Sequence, residues 1–191
     1  VWLQLFHSGR LTVPEITGDK TLSSSAIAPL GSESFWRPKR NDEVVHFQTG
    51  TPFLVPTEVD SNQIKSLISE FTQSCLLAQE AGFDGVELHG AHGYLLHQFS
   101  HLHCNQRLDE FGAHNFEFVR QCVSQCREAV GTDFTLSYRL SVHMVDNSFV
   151  RHDPNELNFS KLVKILDGAG IDVFHASELS SRNPVFGSNL T

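Results

Sequence analysis

The chain reads as an α/β protein built on a parallel sheet, and three features carry that expectation. Short apolar runs at residues 1–6, 83–88, 134–140 and 171–175 have the length and composition of buried strands. Segments with apolar residues at three-four spacing stand before the second run and between the later ones, as amphipathic helices do. The order strand, long loop, helix, strand, helix, strand, helix, strand is a succession of βα units, which implies parallel pairing through right-handed crossovers. An open doubly wound sheet would place a glycine-rich phosphate loop such as GxGxxG after its first strand, and Gly9 alone is no such loop. The other architecture is a partial (β/α)8 TIM barrel with outer helices. That fold normally takes about 250 residues and eight strands, of which four are countable here. The chain begins on a strand without methionine, so residues 1–191 are expected to be a single incomplete barrel domain, a fragment lacking N- and C-terminal strands.

Taken in order, residues 1–6 form the first buried strand. Residues 8–60 then make a long irregular connection, with Pro14, Pro29, Pro38, Pro52 and Pro56, glycines at 18, 31 and 50, and a serine run at 23–25; loops of that length are uncommon unless functional. Asp60 or Ser61 can cap the next helix, and Gln63 completes a capping box from Asp60. Ile64, Leu67, Ile68, Phe71, Cys75 and Ala78 mark its inner face up to Gly82. A helix over residues 115–130 follows the second strand, with Phe116, Val119, Val123, Cys126 and Val130 on one face and Gly131 as its stop. The strand at 134–140 leads to a helix over 155–169 bearing Phe159, Leu162, Val163 and Leu166, and then to the last strand.

Chemistry concentrates just past the second strand, where His89, His92 and Tyr94 stand within six residues, with Gly90 and Gly93 expected to let the backbone turn and approach a ligand. Ligand sites of α/β folds lie at the carboxyl ends of strands. A lone histidine is more often a hydrogen-bonded structural group; the cluster is what draws attention. Two imidazoles three apart suit zinc only with a third and usually a fourth ligand, and no Glu or Cys stands at a helpful local spacing, so no metal is expected. Two N–H donors aimed at one carbonyl oxygen would instead stabilise charge that develops as a conjugated system is reduced. Tyr94, with a reference pKa of about 10, keeps its proton at neutral pH and suits a general acid.

A net charge of −8, from 22 acidic and 14 basic residues, argues against nucleic acid or an anionic membrane as partner. Small molecules are the expected ligands. No apolar run approaches the roughly 18 residues of a membrane span, and a cytoplasmic location is expected. Cys75, Cys104, Cys122 and Cys126 form neither a CxxC pair nor a secreted framework, so they are expected reduced, with Cys122 and Cys126 on one helix face.

The run His89-Gly-Ala-His92-Gly-Tyr94-Leu-Leu-His-Gln-Phe99 resembles the signature of the Old Yellow Enzyme (NADH:flavin oxidoreductase / NADH oxidase) family of FMN-dependent ene-reductases. Gln4-Leu-Phe-His7-Ser-Gly9-Arg10 is similar to its Gln-x-x-His-x-Gly-Arg strand, and Asn105-Gln-Arg107-Leu-Asp109-Glu110-Phe-Gly112 to its Asn-x-Arg-x-Asp-Glu-Tyr/Phe-Gly loop. The resemblance places the four strands as roughly the third to sixth of the family barrel. It implies an enzyme that reduces alkenes of α,β-unsaturated carbonyl compounds with NADH or NADPH through FMN. Gln4 and Arg139 would hold the flavin: a fixed guanidinium favours the negative pyrimidine edge of the reduced ring, and a glutamine amide offers it both donor and acceptor. His89 and His92 would bind the substrate oxygen and Tyr94 would protonate the α-carbon. Without the resemblance Arg139 reads equally as a loop salt bridge, with Asp146 as the candidate partner. Arg107 reads as a local salt-bridge clip between acids.

Departures from the family pattern are His101-Leu-His103 in place of Ser-Pro, a shorter turn at residues 112–116, and Phe53 where an arginine is common. Two other readings stay open: a truncated, non-catalytic relative unable to retain flavin, and a piece of a larger iron–sulfur flavoenzyme such as a dienoyl-CoA reductase. The isolated fragment is expected not to hold FMN tightly, since barrel enzymes commonly grip phosphate with loops after the seventh and eighth strands. Open parallel edges would favour aggregation or exchange with another chain, a homo-oligomer among the outcomes.

Overall fold

The computed structural model describes residues 1–18, 20–30, 32–38, 44–144 and 159–177. In chain order the elements are β1 (Trp2–Leu5), a 3₁₀ turn (Gly9–Leu11), α1 (Pro14–Thr17), β2 (Leu22–Ser23), β3 (Ser32–Pro38), β4 (Val44–Pro52) and β5 (Thr57–Glu58). Then come α2 (Ser61–Glu80), β6 (Gly85–His92), α3 (Leu95–Ser100), α4 (Glu117–Val130), β7 (Thr135–Met144), α5 (Phe159–Ala169) and β8 (Val173–Ala176). β1, β6, β7 and β8 pair in that order into a four-stranded sheet, parallel throughout.

Alternation along each strand divides its residues between two faces. Leu3 and Leu5 of β1, Val86 and Leu88 of β6, Leu136, Tyr138 and Leu140 of β7, and Phe174 of β8 pack into one apolar core with the buried faces of α2, α4 and α5. The other face is polar and carries Gln4, Glu87, His89, Ser137, Arg139 and His175.

Helix α2 forms where its local signals put it. Asp60 accepts from the Asn62 and Gln63 N–H groups at 2.8 Å each, while the Gln63 side chain accepts from the Asp60 N–H at 2.9 Å, which satisfies donors that a helix start leaves unpaired. Its buried residues are Ile64, Leu67, Ile68, Phe71, Cys75 and Ala78, the expected stripe. All four cysteines are free and buried, with Cys122 and Cys126 both on the inner face of α4.

Other expectations need correction. The connection at 8–60 is not irregular: β2 pairs with β5 in parallel and β3 with β4 antiparallel. Two-residue strands carry no periodicity, and the Pro and Gly residues at the ends of β3 and β4 read as loop signals. β1 is exposed on alternate residues, with Trp2 at 45%, because it lies at an edge of the described sheet. β6 and β7 run beyond their apolar stretches, so His89 and His92 lie on the strand itself and not after it. The start expected for the last helix, residues 155–158, lies outside the described residues.

Gly90 also differs from expectation. The left-handed turn falls at His92 (φ +60°) and Gly93 (φ +86°), whereas a Cβ at Gly90 would sit 2.1 Å from ring carbons of buried Tyr138. The residue is small so that a tyrosine of the neighbouring strand can lie against the site strand. Gly90→Ala should therefore destabilise the protein by about 1–3 kcal/mol, the usual cost of overfilling a packed core. A denaturant midpoint equal to wild type would show that Tyr138 moves aside freely.

Candidate active site

Strand register brings distant residues into rows on the polar face. Gln4 of β1 lies beside Glu87 of β6, which lies beside Ser137 of β7. One step further toward the carboxyl ends, His89 lies beside Arg139, and Arg139 beside His175 of β8. Glu87 joins the rows: it accepts from Gln4 Nε2 at 2.7 Å and from Ser137 Oγ at 3.3 Å, and pairs with His175 Nδ1 at 2.7 Å. Burial pushes its carboxyl up, but the bonds from Gln4 and His175 and the charge on Arg139 outweigh that and leave it below the usual range.

Above these rows the pairing of β6 with β7 is irregular between Gly90 and His92. Such irregularities re-aim side chains next to sites. His92 takes the left-handed conformation that non-glycine residues rarely adopt, and its N–H donates to Ser141 Oγ at 2.8 Å. The His89 and His92 rings meet edge to face, 5.3 Å between centroids. Tyr94, the N-cap of α3, lies edge to face against His89 at 4.9 Å and against Phe6 at 5.3 Å.

Both imidazoles are held neutral at physiological pH. Burial is the main cause, and together with nearby charges, Arg139 among them, it leaves each pKa at about 4; His89 also disfavours charge on His92. A neutral ring carries one N–H, and in His89 the Nδ1 atom accepts from the Ala91 N–H at 3.3 Å, which puts the proton on Nε2. Burial raises the Tyr94 phenol, against the pull of Arg139, so it too keeps its proton.

His89, His92 and Tyr94 thus share one cluster beside Arg139, while Gln4 stands one row away with its amide on Glu87. Arg139 donates from Nη2 to Ser177 Oγ at 2.9 Å, and its buried Nε has no partner among the described residues; Asp146 lies outside the described residues. That unpartnered donor, with a Gln4 amide whose nitrogen is engaged and whose oxygen is left to accept, suits the polar, anion-forming edge of a flavin. Sequence reasoning assigned no role to Glu87, Ser177, Ser141 or Phe6, which join the site only through contacts across strands. Arg107 is the clip expected of it, bonding Asp109 through Nε and Nη2 and the Val59 carbonyl through Nη1 at 2.7 Å, although its second acid is Glu58 rather than Glu110. A concavity of about 540 Å³ is lined by Phe6, His7, Lys20, Gln63 and Glu70 among others. It shares only Phe6 with the ring cluster, so chemistry rather than volume locates the site. Among the described residues no group of three or more His, Cys, Asp or Glu is placed to hold a metal ion, and no helix is long and apolar enough to cross a membrane.

The chain is 33% identical over 181 residues to an NADH oxidase of Thermoanaerobacter brockii, covering 93% of this chain and 24% of that protein. It is 31% identical over 184 residues to an NADH:acrylate oxidoreductase of Vibrio harveyi, covering 92% of this chain and 16% of that protein. The solved structure of an old yellow enzyme homologue from Zymomonas mobilis matches with a TM-score of 0.75 over 94% of this chain and 48% of that one, at 23% identity. That likeness shows the fold: the parallel sheet and its outer helices are part of a (β/α)8 barrel. The chain spans less than half the length of each of these relatives. Residues 1–185 match the model of one flavin-dependent family, and the chain belongs to it: the NADH:flavin oxidoreductase / NADH oxidase family.

Proposed function

We propose that the protein containing this chain is an FMN-dependent oxidoreductase that uses NADH or NADPH to reduce alkenes conjugated to a carbonyl group. The observation that carries the proposal is the cluster of two neutral imidazoles and a protonated phenol beside Arg139. When bound, FMN supplies the two-electron chemistry that couples nicotinamide oxidation to alkene reduction. Arg139 and Gln4 hold its polar edge, the first through the unpartnered Nε and its charge, the second through its amide oxygen. His89 and His92 donate to the substrate carbonyl oxygen and stabilise the negative charge that gathers there. Tyr94 gives its proton to the α-carbon. The Vibrio relative, named for acrylate, supports a substrate whose double bond is conjugated to a carbonyl carbon.

In the flavin-loaded protein, phenols should bind through the histidine pair and produce a charge-transfer absorbance, because two donors stabilise an oxygen anion better than one. Replacing both histidines with alanine should abolish that band. A phenol titration left intact would remove them from the oxygen site.

Tyr94→Phe keeps the ring and deletes the acid. Rapid mixing should show the alkene-dependent half-reaction slowed by about 10²–10⁴-fold, with reduction by the nicotinamide near normal. Equal slowing of both half-reactions would point to a distorted site instead.

The neutral rings also make stability depend on pH. Each has a pKa near 4 in the folded protein against an ordinary 6.5, so between those values the unfolded chain binds more protons. Their contribution is complete above about pH 6.5 and is lost as the pH falls toward 4. His101, held at about 3 by burial, adds to the same loss. In a His89→Gln/His92→Gln double variant the drop in denaturant midpoint between pH 7 and 4.5 should become smaller; an unchanged drop would mean that the rings are not kept neutral.

A further inference from the structure

We propose that Ser177 is a positioning residue that fixes the proton of His92 on Nδ1. The inference rests on the oxygen-binding role given to His92 above and adds which of its nitrogens can serve as donor.

Ser177 follows β8 and is anchored by its own N–H, which donates to the Leu140 carbonyl at 2.8 Å. Its hydroxyl has two neighbours among the described residues: Arg139 Nη2 at 2.9 Å and His92 Nε2 at 3.1 Å. A guanidinium has no acceptor, so Arg139 can only donate, and it occupies a lone pair of Ser177 Oγ. The hydroxyl hydrogen is then free for the other neighbour, and the only group there able to receive it is an unprotonated His92 Nε2. With His92 neutral, its one proton must sit on Nδ1. Were it on Nε2, Ser177 Oγ would receive two donors while its own hydrogen found no acceptor among the described residues.

The two histidines are thereby set in opposite tautomers by unrelated means. The Ala91 N–H occupies Nδ1 of His89 and leaves Nε2–H; the Ser177 hydroxyl occupies Nε2 of His92 and leaves Nδ1–H. In each ring the nitrogen without a hydrogen-bond partner among the described residues is the one that carries the proton. Each ring therefore offers a substrate oxygen a hydrogen rather than a competing lone pair.

Histidine side-chain ¹⁵N–¹H correlation spectra of the flavin-free protein at pH 7.5 test this directly. Wild type should show His92 with a pyrrole-like Nδ1 and a pyridine-like Nε2. Ser177→Ala should move His92 toward the opposite tautomer, and Ser177→Thr, which keeps the hydroxyl, should restore the wild-type pattern. A wild-type His92 protonated on Nε2 would overturn the proposal without need of any variant, as would a Ser177→Ala spectrum unchanged at His92. In the flavin-loaded protein Ser177→Ala should weaken phenol binding by about ten- to a hundredfold, the worth of one hydrogen bond to a charged group, and Ser177→Thr should recover it. If wild type shows the Nδ1–H tautomer but binds no phenol, the Ser177 assignment stands and the oxygen-binding role of the pair falls.

Discussion

One buried amide holds the site's surroundings together. Gln98 on α3 has no exposed surface, and all of its hydrogen-bonding capacity is used. Its Oε1 accepts from the Arg10 N–H at 3.2 Å and from Ser23 Oγ at 3.1 Å, while Nε2 donates to the Ser8 carbonyl at 3.2 Å and the Gly93 carbonyl at 2.7 Å. The segment after β1, the start of the long connection at β2 and the turn after β6 all meet on this side chain. A polar group satisfied in this way rigidifies its surroundings, whereas leaving one bond unmade in a dry interior costs about 1–3 kcal/mol. Gly9 belongs to the same constraint: its φ is +60° and a Cβ there would lie 2.3 Å from the Gln98 amide oxygen. Because Tyr94 caps the helix that carries Gln98, the place of the phenol ring follows from how that amide is bound.

The serine run beside it serves the same purpose. Ser23 reaches the amide, Ser24 Oγ shares its one hydrogen between the carbonyls of Gln98 and Cys104 at 3.2 and 3.0 Å, and Ser25 Oγ accepts from the Gln106 N–H at 3.0 Å. All three are buried. Short hydroxyls fit between backbone segments too close for larger side chains, so a stretch that reads as irregular connection is instead a seam with the loop after α3.

What was legible in the sequence was local. The capping box at Asp60 and Gln63 and the stripe of α2 are local signals, and the structure carries them residue for residue; in α4 Val119, Val123, Cys126 and Val130 hold, whereas Phe116 stands before the helix as its N-cap and Phe118 and Cys122 join the buried face. That His89, His92 and Tyr94 lie together is legible because their spacing is compact. Gln4 and Arg139 came from the resemblance alone, and the structure puts both on the polar face. Glu87, Ser141, Ser177 and Gln98 were not legible in their roles, because their meaning depends on partners many residues away: Glu87 meets His175 at a separation of 88, and Gln98 meets Ser8 at 90. No periodicity records such a meeting; it follows from how distant segments pack together, which sequence order does not state. β3 and β4 were missed for the opposite reason, since their Pro and Gly residues are locally persuasive and wrong.

The electrostatics of the polar face follow from placing one strong cation among groups of different intrinsic acidity. Arg139 disfavours charge on both imidazoles, and burial acts on them in the same direction, so they become neutral donors. For Tyr94 the two influences oppose: burial holds the proton, and Arg139 makes the phenolate left behind less costly. Glu87, one row below, is kept charged by Gln4, His175 and Arg139 despite its burial. It alone pulls the His89 ring back toward protonation, and that pull is smaller than those of burial and Arg139. The carboxylate is therefore far enough from the rings to leave them neutral, yet close enough to hold Gln4 and His175 in place. Two imidazoles stay neutral N–H donors beside a carboxylate only under that order of influences, and the register of β6 against β7 sets it.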